Sequence, residues 1–219
     1  MTPEEVLQEI AEQARICTRC KLHHFRKHAV PGVGSANTRV MFIGEGPGFY
    51  ENEQGLPFVG AAGKFLEELL GDAGLTREGV FITNVVKCRP PSNRDPEPDE
   101  LNACKTYLER QIAAINPDVI VTLGRVSMGY FIDQAKISSI HGRDFWSHGR
   151  MVVAMYHPAA ALHQPSLRSV VKEDFSKLPA LIVKAQKARE TDHDPDETQP
   201  DLPGDELDDG QGVEQLSLF

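Results

Sequence analysis

Four cysteines constrain this chain more than any other feature. Cys17 and Cys20 form a C-x2-C pair near the N-terminus, while Cys88 and Cys104 lie far downstream with 15 residues between them. The opening MTPEEVLQEIAEQ reads as an acidic amphipathic helix with Val6, Ile10 and Ala14 on one stripe. It has neither the basic flank nor the apolar centre of a secretion signal. Four thiols in two distant groups therefore point to a four-thiolate inorganic centre and away from a disulfide framework. Such a centre would tie remote parts of the chain together. The spacing alone leaves zinc and iron-sulfur both open. Zinc ribbons usually present two short knuckles, whereas scattered third and fourth ligands are commoner in cluster proteins. Unligated buried cysteines are the plain alternative.

The formal net charge of −9 misrepresents the body of the protein. Residues 190–219 hold eleven acidic side chains and no Lys or Arg, which leaves residues 1–189 with 23 basic against 21 acidic groups, a net of +2. A uniformly acidic protein is a poor partner for nucleic acid; a near-neutral body with an acidic tail is not. KLHHFRKH at residues 21–28 concentrates three basic residues and three histidines, either as a solvated loop or as a patch. Residues 190–214 offer almost nothing to bury and are expected to be disordered. No apolar run approaches the length of a membrane span. A cytoplasmic monomer is expected, with a domain at 1–189 and an appended tail at 190–219.

Short apolar runs occur at residues 40–43, 80–82, 119–121 and 151–155, a length and character that suits strands buried on both faces. Helical patterns lie between them, at about 61–73 ending before Gly74, at about 98–115, after Gly124, and at about 167–188. The alternation predicts an α/β fold, a three-layer α/β/α sandwich on a central four-stranded parallel sheet. Ligands of such sheets bind beyond the carboxyl ends of the strands. Those ends carry Gly44-Glu45-Gly46-Pro47-Gly48, then Thr83-Asn84, and Tyr156-His157-Pro158. An acid, an amide and a histidine are thereby expected in one cleft.

Each of these residues has a plain reading and a chemical one. Glu45 could serve as general base or water positioner, or cap a turn. Asn84 could read an edge bearing both a carbonyl and an N–H, or close the strand. His157 could donate to a developing oxyanion or be structural. Phe58, in Gly-Leu-Pro-Phe-Val-Gly, is a core aromatic or a stacking face. Together they suit a planar heterocycle with a carbonyl-and-imide edge. Enzymes that act on a base in duplex DNA extrude it, stack it and read that edge.

The sequence resembles the family 4, iron-sulfur uracil-DNA glycosylases over roughly residues 1–186. The resemblance rests on CTRCKL, GEGPG, GLPFVG, TNVVKCRPP, a further cysteine after 15 residues, IHG and HPAA, in that order. It implies a [4Fe-4S] cluster on Cys17, Cys20, Cys88 and Cys104. It implies that Phe58 stacks on a flipped uracil, that Asn84 bonds its pyrimidine edge, and that His157 stabilises charge on O2. Glu45 and the backbone at Gly46 would position the attacking water, giving hydrolytic excision and an abasic site.

The chain departs from related enzymes in places. Cluster-free uracil glycosylases carry an aspartate and a tyrosine where this chain has Gly46 and Gly48, so exclusion of thymine's methyl is expected to pass to Glu51. Asn52 stands where many family members have an acid. The stretch from Lys87 to Pro91 lacks the basic insertion of a branch that traps DNA covalently, so turnover is expected. Leu162 is placed to wedge the emptied base stack, or to start a helix in the core. Arg89, Asn93 and Arg94 could meet phosphates. The terminal Gln215, Leu216, Leu218 and Phe219 resemble the pentapeptide by which bacterial repair proteins dock on the β sliding clamp. Rival readings are a non-catalytic DNA-binding module with a cluster or zinc, and a glycosylase for hypoxanthine or other deaminated bases.

Overall fold

A computed structural model describes residues 1–190; the tail and the expected clamp motif at Gln215, Leu216, Leu218 and Phe219 lie outside the described residues. Six strands form one mixed sheet: β1 (Val33–Gly34), β2 (Val40–Gly44), β3 (Phe81–Asn84), β4 (Val119–Leu123), β5 (Asp144–Ser147) and β6 (Arg150–Met155). Their order is β1-β3-β2-β4-β6-β5. The four inner strands are parallel and coincide with the four apolar runs. The expected four-stranded sheet is thus corrected to six, because β1 and β5 add antiparallel edges. Neither edge announces itself. β1 is two residues long, and β5 turns into β6 through His148 and Gly149, both at positive φ, instead of the usual Asn-Gly.

Nine helices flank the sheet among the described residues: α1 (Pro3–Ile16), α2 (Phe49–Gln54), α3 (Ala61–Asp72), α4 (Pro98–Ile115), α5 (Arg125–Met128), α6 (Ile137–Ile140), α7 (Pro158–His163), α8 (Leu167–Ser176) and α9 (Leu178–Glu190). Alternate side chains along a strand face opposite sides. Val40, Phe42, Val119 and Val121 therefore pack on Phe65, Leu66 and Leu69 of α3 and Phe175 of α8. Met41, Ile43, Ile120 and Val152 meet Leu108 and Ile112 of α4 on the other face. With both faces covered, β2 and β4 are buried throughout. The single helix expected at 167–188 is two. Pro179 lacks an N–H and its ring crowds the carbonyl four residues back, so the chain restarts as α9.

α1 opens with a reciprocal cap between Thr2 and Glu5. Its buried Ile10 and Ala14 join Leu22, Cys88 and Cys104 in a third cluster, which draws the N-terminus onto α4. No helix among the described residues is long and apolar enough to cross a membrane.

Candidate active site

At the carboxyl ends of β2, β3 and β6 lies a cavity of about 390 Å³, walled in part by Glu45, Gly46, Glu51, Phe58, Asn84 and His157. All six expected pocket residues therefore share one site. The sheet register sets Gly44 beside Asn84. A Cβ on Gly44 would stand 2.4 Å from Asn84 Oδ1 and 2.8 Å from Phe58 Cζ, so the bare backbone is what admits both side chains.

Asn84 is only 2% exposed. Its Oδ1 is buried without a hydrogen-bond partner. A buried acceptor left unmade costs about 1–3 kcal/mol, and native proteins rarely keep one without a use. The main-chain carbonyl of Asn84 is by contrast fixed, accepting a bond from Lys87 Nζ at 2.7 Å.

His157 is the N-cap of α7, and its Nδ1 accepts a hydrogen bond from the Ala159 N–H at 3.1 Å. That bond leaves the ring proton on Nε2. Burial pushes the imidazole pKa down to about 4, with the charge of Glu51 opposing. The side chain is a neutral N–H donor at physiological pH.

Phe58 sits at φ +52°, a conformation that costs a non-glycine residue energy. Arg77 clamps it, donating to the Phe58 carbonyl at 3.1 Å and to that of Pro57. The ring lies nearly parallel to His157, 5.5 Å between centroids at 24°. Glu51 Oε1 accepts from the Val59 and Gly60 N–H groups at 2.9 and 3.0 Å, tying the same loop to the cavity wall. The Glu45 carboxyl is raised in pKa by burial first and by nearby Asp95 second, with Arg125 opposing. Asn52 faces away from the cavity; its Oδ1 accepts the Lys27 N–H at 2.9 Å.

Leu162 is 41% exposed, which rules out a core role, and it neighbours His163 at the cavity border. Arg94 grips the buried Glu100 carboxylate through both terminal guanidinium nitrogens, Nη1 and Nη2, at 2.8 and 2.7 Å. Asn93, also at the border, accepts from Arg89 Nε at 2.8 Å.

The four cysteines are free thiols and line one pocket beside the end of α1, the turn Lys21–His24 and α4. Among the described residues no group of three or more His, Cys, Asp or Glu side chains is placed to hold a metal ion. Arg26 Nη1 donates to Cys88 Sγ at 3.6 Å and to the Cys17 carbonyl. The Lys87 N–H donates to Cys104 Sγ at 3.2 Å. Burial pushes Cys88 up and Cys104 to about 11, so thiolates here require compensating positive charge.

Sequence reasoning missed Lys87. It is 1% exposed, and its Nζ donates at 2.7 Å to Thr83 Oγ1, the Asn84 carbonyl and Gln111 Oε1. The one available signal was a lysine set directly after Val85-Val86 in a run the fold buries.

Residues 31–179 match the family model described as the uracil DNA glycosylase superfamily. Over 191 residues the chain is 47% identical to a type-4 uracil-DNA glycosylase of Sulfurisphaera tokodaii, covering 83% of this chain and 87% of that protein. A type-4 uracil-DNA glycosylase of Thermotoga maritima is 45% identical over 188 residues, 84% of this chain and 98% of the other. A type-5 uracil-DNA glycosylase of Thermus thermophilus is 34% identical over 150 residues, 58% and 68% of the two chains.

Proposed function

Because the chain belongs to the uracil DNA glycosylase superfamily, among its type-4 members, we propose that an extruded uracil occupies the cavity between Phe58, Asn84 and His157. The protein is a hydrolase that excises uracil from DNA. The observation that carries the pocket reading is the unpartnered Asn84 Oδ1. Uracil N3–H is the donor it lacks, and the amide NH2 is left for O4. Cytosine offers an acceptor at N3 and a donor at C4, which reverses both contacts.

Bond cleavage leaves the electron pair of the C1′–N1 bond on the base. The charge collects on O2, where the neutral His157 Nε2–H donates. Preorganised donors of this kind contribute on the order of 3 kcal/mol in other enzymes. Glu45 orients water towards C1′ and takes its proton, with the Gly46 backbone completing the water site. Glu51, held rigid by the Val59 and Gly60 N–H groups, stands where thymine's C5 methyl would fall. Thymine excision by Glu51→Ala supports that role; unchanged selectivity removes it.

The four cysteines fit a [4Fe-4S] cluster by donor chemistry: four thiols around one pocket, with N–H groups aimed at two sulfurs. When bound, the cluster supplies a cross-link between the N-terminal segment and α4; hydrolysis demands no electron from it. An absorption band near 400 nm is the readout that separates cluster from zinc. Beyond the described residues, Gln215, Leu216, Leu218 and Phe219 would dock on the β sliding clamp and keep the enzyme at replicated DNA.

The test is incubation with single- and double-stranded oligonucleotides bearing one uracil, followed by alkali. Strand breaks at the uracil are expected. Their absence would overturn the reading.

A further inference from the structure

Phe49 and Tyr50 are 52% and 59% exposed, an unusual pair of aromatic surfaces to leave in water. They open α2 immediately after Gly48 and precede Glu51, and both of those residues wall the uracil cavity. The two rings meet edge to face, 5.4 Å apart at 83°. The Arg89 guanidinium lies 5.4 Å over the Phe49 ring. It is oriented by its Nε bond to Asn93, itself on the cavity border. Neighbouring cations are neutralised: Lys21 by Glu97, Lys27 by Glu53, Arg94 by Glu100. Arg89 makes no ion pair among the described residues.

α2 is also held firmly. The Asn52 side chain and carbonyl receive the Lys27 and His28 N–H groups, and Glu51 is bonded to Val59 and Gly60. The rings are therefore presented on a fixed element, continuous with the cavity. An exposed ring beneath an unpaired guanidinium matches one nucleotide, with the base on the ring and the phosphate at the cation.

We propose that Phe49, Tyr50 and Arg89 form a stacking platform for the nucleotide that flanks the extruded uracil on the same strand. This rests on the uracil-pocket reading and adds to it the groups that hold the flanking strand. Extruding uracil strips its neighbour of a stacking partner, and the platform replaces it. The gain is larger on single-stranded DNA, where no complementary strand orders the flanking base.

Binding of the full-length protein to oligonucleotides carrying a stable abasic analogue, single-stranded and duplex, tests this by fluorescence anisotropy. Phe49→Ala and Tyr50→Ala should each weaken single-strand binding by about tenfold, and duplex binding by less. Phe49→Trp should restore it and Phe49→Leu should not. Arg89→Gln should lower the slope of log K against log salt by about one, while the aromatic variants keep the wild-type slope. Wild-type binding by Phe49→Ala, rescue by Phe49→Leu, or an unchanged slope for Arg89→Gln would each overturn the platform. So would loss of self-association in Phe49→Ala with DNA binding intact, which would assign the rings to a second copy of the chain. Excision of uracil by the wild type reports separately on the pocket, and the binding arm is read whatever excision shows.

Discussion

Asn84 and Phe58 show how single residues at the cavity are held in costly states by the surrounding fold. One keeps a buried acceptor unpaired and the other a backbone at positive φ. The strand-end acid, amide and histidine were legible because a parallel sheet delivers whatever follows its strands to one edge. The conformation of Phe58 was not legible, since Arg77 imposes it from 19 residues away. Nor was the Glu51 contact with the Val59 and Gly60 N–H groups, which depends on a loop folding back. At this scale the pH behaviour of His157 is a direct consequence of its environment. Its folded pKa of about 4 lies below the ordinary 6.5, so the unfolded chain binds the proton more readily. Stability from this group is full above pH 6.5 and drains as pH falls towards 4. Urea midpoints of the wild type should therefore decline relative to His157→Gln across that window; parallel curves would contradict the assignment. Glu45 gives a second prediction. Arg125 opposes the upward shift of its carboxyl, so Arg125→Ala should move the acid limb of the excision profile to higher pH. An unmoved limb would count against Glu45 as the ionised group.

Among the elements, the α1–α4 contact depends on the cysteine pocket and on two cations that serve it. Arg26 bonds the carbonyls of Arg15 and Cys17 as well as Cys88 Sγ, which fixes the exit of α1. If the four cysteines hold the proposed cluster, Arg26→Ala should speed bleaching of its absorption near 400 nm under a chelator and open residues 17–28 to protease; unchanged bleaching would remove Arg26 from the proposed centre. Lys87 joins this pocket to β3, because its N–H reaches Cys104 while its Nζ holds Thr83, Asn84 and Gln111. Lys87→Met strands three acceptors and should destabilise the fold by about 3 kcal/mol or more in urea melts. A loss under 1 kcal/mol would show that the network repacks. The four parallel strands and most helices were legible, because burial on both faces forces continuous apolar runs. β1 and β5 were not, since a two-residue pairing and a half-exposed edge leave no period to read.

For the whole molecule, the sign of the charge changes along the chain. Residues 1–189 carry a net of +2 and the tail supplies the acid, so the body can approach a phosphate backbone that the total of −9 would forbid. Deleting residues 215–219 should abolish capture by an immobilised β clamp while excision from short oligonucleotides persists. Equal capture by the truncated chain would refute the docking role. On the proposed function, Asn84 reads uracil's imide edge in this cavity. Single-turnover excision by the wild type and Asn84→Ala, on matched oligonucleotides bearing uracil or cytosine, decides whether that contact is made. Release of uracil alone by the wild type and a loss of about a hundredfold or more in Asn84→Ala are expected. Wild-type rates in Asn84→Ala would contradict it.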